Sequence, residues 1–150
     1  CNVFSLGENV MKKALFVLGF VLVLVGCSTT PTSLDTGIKA PDKYIYEKDL
    51  VSDTVDNSKG RVLILRDKGF VGSGCTFDIG LNGKKVFSLG QSQYLEVQLE
   101  PKFYLLSASI GGGLCPNLQM TQNMTLEAGE KQTYRIGWAS NGQFMFVRTQ

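Results

Sequence analysis

Residues 75–89 read CTFDIGLNGKKVFSL, and the fold is read outward from them. Cys75, Phe77, Ile79 and Leu81 alternate with Thr76, Asp78 and Gly80. That period of two puts the apolar side chains on one face of an extended strand. Asn82-Gly83 then interrupts the alternation. Both residue types tolerate positive φ, so the pair predicts a tight hairpin turn. Lys84 to Leu89 forms the returning strand, carrying Val86, Phe87 and Leu89.

The same grammar extends in both directions. Upstream, Arg61-Val62-Leu63-Ile64-Leu65-Arg66 is a short apolar run bounded by charge, as a buried strand should be. Downstream, Leu95, Val97 and Leu99 alternate with Glu96, Gln98 and Glu100, and Pro101-Lys102 makes a turn. Phe103 to Ile110 is a further strand, broken by Gly111-Gly112-Gly113. Leu118 to about Leu126 makes a weaker one, and Ala128-Gly129-Glu130 a turn. Tyr134, Ile136 and Trp138 alternate, Asn141-Gly142 turns the chain, and Gln143 to Arg148 returns. Trp138, Phe144 and Phe146 are expected in the core. Helical periodicity is not sustained in any window. Short strands with turn signals about every ten residues predict an all-β fold, a small antiparallel β-sandwich of about seven strands over 60–150.

Composition bounds the function. The chain has 150 residues, enough for one domain of ordinary size. Its 15 Lys and Arg face 13 Asp and Glu, a balance too even for a nucleic-acid partner. It contains no histidine, so Ser-His-Asp, Cys-His and His-ligated metal chemistry have no basis within it. No S-x-x-K arrangement and no G-x-S-x-G elbow occur. Asp53 could pair with Asp56 and Asp67 with Asp78, but solvated linker and strand-face carboxylates explain both. The expectation is no catalytic residues, no metal and no enzymatic activity.

Before the domain, residues 14–25 read ALFVLGFVLVLV, preceded by Met11-Lys12-Lys13. A helix of that length rises only about 18 Å against a hydrocarbon core of about 30 Å. Basic residues, a short apolar stretch and a small residue at its end describe a secretory signal peptide over 11–26 instead. Residues 1–10, with Cys1, are then expected to be upstream reading frame. Ser28 to about Gly37 is Ser/Thr-rich and reads as a flexible tether. From Ser28 to Lys59 there are 4 Lys and 6 Asp or Glu. This segment is expected to be a solvated linker that pins one short strand to the domain edge through Tyr44 and Tyr46.

Leu24-Val25-Gly26-Cys27 resembles the lipobox of bacterial lipoproteins. The resemblance implies cleavage before Cys27, a diacylglyceryl group on its thiol and an N-acyl group on its new amine. These covalent lipids would be the sole cofactors, holding a chain that begins its mature part at Cys27 on a membrane. Ser28, where Asp would favour inner-membrane retention, implies the outer membrane, facing the periplasm or the cell surface. That compartment is oxidising. Cys75 and Cys115 can then form a disulfide that staples the loop end of the sandwich; two free thiols are the other reading. No C-x-x-C spacing suggests zinc.

From about Arg61 to Val147 the pattern is similar to PEGA-like, transthyretin-like β-sandwich domains of bacterial lipoproteins. The resembling residues are Val62–Arg66, Ile79–Val86, Leu99–Leu106 and Leu126–Glu130, with Pro101-Lys102 where such domains commonly have Pro-Gly. The resemblance implies a non-catalytic envelope module that binds or scaffolds another envelope protein. Two other readings stay open: a surface-exclusion or inhibitor lipoprotein blocking a phage, plasmid or hydrolase, and a carbohydrate or lipid carrier. From Gly60 to Gln150, 9 Lys or Arg face 6 Asp or Glu. Arg66, Lys68, Lys84 and Lys85 are the candidate binding set for an acidic partner, with a solvated basic face as the alternative.

Overall fold

The computed structural model describes residues 29–150. The signal stretch 11–26, residues 1–10 and the lipidation residue Cys27 lie outside the described residues. Nine strands run in chain order: β1 (Ile38–Lys39), β2 (Gly60–Arg66), β3 (Phe77–Leu81), β4 (Lys84–Leu89), β5 (Gln93–Leu99), β6 (Phe103–Ile110), β7 (Leu118–Thr125), β8 (Lys131–Trp138) and β9 (Phe144–Arg148). They form a five-stranded sheet ordered β1-β5-β2-β8-β9 and a four-stranded sheet ordered β4-β3-β6-β7. The eight longer strands follow the alternating segments of the sequence, and the fold is all-β in two layers. Two short 3-10 turns, Asp42–Tyr44 and Lys48–Leu50, are the only helical elements among the described residues.

The space between the layers is filled from both sheets. Phe77, Ile79, Phe87, Leu89, Leu106 and Met124 of the smaller sheet meet Val62, Ile64, Leu95, Tyr134, Ile136 and Phe146 of the larger. Phe77 stacks on Phe144 at 5.2 Å between ring centroids, and Trp138 tilts against Phe144 at 5.7 Å. The inward faces are the ones that the period of two selects.

The Asn-Gly hairpin forms as expected. Asn82 has φ 52° and Gly83 φ 82°, the paired left-handed conformation that matches the twist of β3 and β4. The Asn82 side-chain carbonyl also accepts the Leu105 N–H at 2.9 Å, tying the turn to β6.

Two expectations are corrected. The larger sheet is mixed rather than antiparallel: β2 pairs antiparallel with β5 but parallel with β8, and β1 is parallel to β5. Alternation and hairpin turns report local geometry. They carry no information on which distant strands meet, and a parallel pair needs only a long crossover. Here Arg61 faces Lys131 after the chain has twice visited the other sheet. A strand paired on both sides and buried on both faces reads as a continuous apolar run, which is what VLIL in β2 is.

The second correction concerns the tether. Thr30 is bridged to Lys68, with N–H to carbonyl distances of 2.7 and 3.0 Å in the two directions. Thr32 is buried, and Ala40 and Ile45 join the core. The polar composition was misleading because the segment is held by backbone hydrogen bonds, which need no apolar side chains. Tyr46 does pin the run to the β4 edge, through its N–H to the Val86 carbonyl and its hydroxyl 3.1 Å from Ser88 Oγ, but the apolar contact comes from Ile45 rather than from Tyr44. Asp42–Tyr44 is a 3-10 turn, Tyr46 is exposed, and Ile45 between them enters the core and bridges Phe87. This run covers the outer edge of β4, where the Tyr46 and Glu47 N–H groups both donate to the Val86 carbonyl.

Gly60 at the start of β2 gives a direct test of packing. A Cβ there would lie 2.3 Å from Leu126 Cγ and 2.7 Å from the Glu127 carbonyl. Leu126 is itself buried and cannot swing away. Gly60→Ala is expected to destabilise the domain by about 1–3 kcal/mol through overpacking. Urea unfolding of the variant beside the parent measures it, and an unchanged midpoint would show that the Leu126 turn yields freely.

Candidate functional site

The four candidate basic residues do not form one patch. Arg66 and Lys68 flank Asp67 at the exit of β2, beside the start of β3 and the end of β4. Lys84 and Lys85 sit at the hairpin, at the other end of those strands. The expectation that they share a surface is therefore corrected. Sequence proximity of charge does not survive when a strand carries the groups to opposite ends of a layer.

Arg66 is not on the surface at all. Only 2% of it is exposed, and its guanidinium lies 4.5 Å over the Phe77 ring. It donates to the carbonyls of Leu89 at 2.8 Å, Gly72 at 2.7 Å and Cys75. No carboxylate pairs with it among the described residues. Burial pulls its pKa down to about 10, which still leaves it a cation at neutral pH. A planar group with several donors suits this task, because one side chain satisfies carbonyls of two separate segments. Arg66 thus clamps the 72–75 loop to the end of β4 and is unavailable to an acidic partner.

Lys84 and Lys85 are likewise engaged. Lys84 Nζ lies 2.7 Å from a Glu47 carboxylate oxygen, and Lys85 Nζ lies 2.9 Å from Asp78 Oδ1. The Ser88 hydroxyl donates to the same Asp78 oxygen at 2.6 Å, and Tyr46 Oη sits 3.1 Å from Ser88 Oγ. Lys85 also lies 4.6 Å over the Tyr46 ring. Desolvation works against the Lys85 charge, but the Asp78 and Tyr46 contacts prevail and hold its pKa above the ordinary lysine value. The cluster braces the Ile45–Glu47 run onto β4. Beside it lies a shallow groove of about 180 Å³, lined by Asp78, Lys85, Ser107, Ser109 and Gln119 on the outer face of the smaller sheet.

Asp67 is the second buried charge, which the reading of it as a solvated carboxylate missed. Its carboxylate accepts the Thr32 N–H at 2.9 Å and pairs with the Arg135 guanidinium. A signal lay in Arg66-Asp67 closing a buried strand, but its partners stand 35 and 68 residues away. Asp67 and Lys68 together hold the N-terminal run to the sandwich.

The disulfide is present: Cys75 and Cys115 are bonded, with Cα atoms 5.9 Å apart. It joins the loop after β2 to the loop between β6 and β7. Gly112 and Gly113, both at positive φ, turn the second loop tightly before Cys115. Phe70, Val71 and Leu114 in these two loops are exposed.

The open edge of β7 completes the inventory. β7 pairs only with β6, through eight consecutive residue pairs from Phe103–Thr125 to Ile110–Leu118. Its sequence LQMTQNMT contains no charge and no proline. Gln122 turns inward and donates to the Phe146 carbonyl of β9, so the layers are laced together beneath the edge. Strands that protect themselves use charge, proline, bulges or shortness, and β7 has none of these. The two-residue β1 shortens the opposite edge of the larger sheet, and the Ile45–Glu47 run covers β4. In comparisons with known proteins, the chain matches no family model and no curated protein sequence.

Proposed function

We propose that this chain is a lipid-anchored lipoprotein of the bacterial envelope whose sandwich is a non-catalytic binding or scaffolding module. The observation that carries the module is the β7 edge: an uncharged eight-residue strand that pairs with β6 alone and whose outer side, apart from the Thr125 carbonyl held by Gln132, meets no further strand. An extended segment of another envelope protein adds to such an edge as a further strand, with main-chain hydrogen bonds giving affinity and alternate side chains giving specificity. Exposed Phe103 and Leu105 on the neighbouring strand supply apolar contact beside it.

The anchor rests on the lipobox Leu24–Cys27. Diacylglycerol on the Cys27 thiol and an acyl chain on its amine would hold the protein on a bilayer, since each buried methylene contributes about 0.8 kcal/mol. Ser28 after that cysteine favours the outer membrane. The PEGA-like pattern of Ile79–Val86 supports the same class of module, and the packed interior of the sandwich favours it over the carrier reading.

Two measurements test the proposal. Metabolic labelling with palmitate should mark the parent and leave a Cys27→Ser variant unlabelled; persistent label on the variant would overturn the anchor. A photoreactive residue at Thr121 of β7 should crosslink to one reproducible envelope protein, and the same group at exposed Asp53 should not. Failure of the Thr121 probe to capture any protein would overturn the scaffolding reading. Capture of a phage, plasmid or hydrolase component would move the function to the inhibitor class.

A further inference from the structure

Where the described chain begins, it begins at one end of the sandwich. Thr29 donates its hydroxyl to the Trp138 carbonyl at 2.9 Å, and Thr30 is bridged to Lys68. Gly69 lies against Thr29. The start of the chain is therefore fixed beside the 68–75 loop, and the disulfide brings the 111–117 loop to the same place.

That end carries the most exposed large apolar side chains of the described residues. Phe70 is 79% exposed and Leu114 fully so, and Val71 next to Phe70 is 45% exposed. Neither loop contains a carboxylate, and Lys68 is the single charge across 68–75 and 111–117. Cys75, the Arg66 clamp and the glycine turns hold the apolar residues out on a short rigid base. An aromatic and two aliphatic side chains with a neighbouring lysine and no acid is the composition that enters the headgroup region of a membrane.

The length of chain ahead of this end selects the occupant. Cys27 stands only two residues before Thr29, so its α-carbon is at most about 7 Å away along an extended backbone. We propose that the 68–75 and 111–117 loops form a membrane-docking tip, in which Phe70, Val71 and Leu114 insert into the lipid surface beside the acyl chains of Cys27. This rests on the lipid-anchor reading. The domain then sits directly on the bilayer, with the hairpin at Asn82-Gly83 at the end of β3 and β4 away from it.

The test uses the full lipidated protein in vesicles of phosphatidylethanolamine and phosphatidylglycerol, some of the lipids brominated on their acyl chains. An environment-sensitive fluorescent residue is placed at Phe70, at Leu114 or at Val55. Val55 is exposed and lies beside Asp56, whose N–H bonds Gln98 opposite Arg61, at the other end of β2. Emission at Phe70 and Leu114 should be quenched several-fold more strongly than at Val55. Acylated protein that floats with the vesicles but shows equal quenching at all three positions overturns the docking tip and leaves the anchor standing. Protein that carries no acyl group on Cys27 and does not float overturns both readings. Crosslinking of Phe70 to a protein rather than to lipid in intact envelopes also overturns the tip.

Discussion

Arg66→Met is expected to destabilise the domain by about 3 kcal/mol, lowering the melting temperature by about 10 °C. Methionine keeps most of the apolar stem and loses the guanidinium that lies over Phe77, so the loss reports on that group. Three carbonyls, those of Gly72, Cys75 and Leu89, lose the guanidinium together, although Gly72 keeps the Cys75 N–H. A hydrogen bond from a charged donor contributes about 1.5–3 kcal/mol, and an orphaned buried acceptor costs about 1–3 kcal/mol. Removing the cation also removes its desolvation cost, which is why the net is smaller than the sum of three bonds. Arg66→Lys should recover only part of the stability, since one ammonium cannot reproduce the planar fork that reaches both segments. Urea unfolding gives the ordering parent, Lys, Met. A Met variant with the parent's midpoint would show that water replaces the guanidinium at all three carbonyls.

The same residue shows what was legible in the sequence. Periodicity predicts about seven strands where nine form, and it locates the longer ones to within a few residues because each needs only its own alternation and a turn. Asn82-Gly83 was readable for the same local reason. Arg66 was misread because an arginine closing an apolar run has the same local signature whether it faces water or folds back under a loop. Its acceptors are backbone carbonyls, which leave no trace in residue types. Residues 29–59 were misread likewise. Their attachment runs through main-chain contacts of Thr30 with Lys68 and Ile38 beside Gln93, and through the Thr32 N–H on the Asp67 carboxylate, all at long sequence separation. The parallel β2–β8 pair belongs to the same group. Of the candidate site, the disulfide was legible only through the lipobox resemblance, which implies an oxidising compartment where two cysteines at strand ends pair. The β7 edge was not, because being an edge is a property of the sheet order rather than of LQMTQNMT itself.

Loss of the bridge is the other large expected effect. In the Cys75→Ser, Cys115→Ser double variant the unfolded chain regains the freedom of a loop spanning 40 residues. On the loop-entropy relation this corresponds to about 4 kcal/mol at 25 °C. Two features suggest that the native fold survives the loss. Cys75 N–H still bonds the Gly72 carbonyl and Cys115 N–H the Gly112 carbonyl, each at 3.0 Å, so both loops keep their turns. The Arg66 clamp still holds the 72–75 segment. The denaturant slope should rise, because an uncrosslinked unfolded chain exposes more surface. Reduced parent protein should unfold at the same urea concentration as the double variant, and neither cysteine of the oxidised parent should alkylate in the folded state. Arg66→Met added to the Ser variant should differ from the sum of the separate effects by 0.5 kcal/mol or more, as expected for groups that hold one loop. Simple additivity would mean that clamp and bridge act on independent parts of the loop end. A Ser variant as stable as the oxidised parent would mean that the unfolded chain is already compact around this loop, and that the bridge constrains nothing the sequence does not.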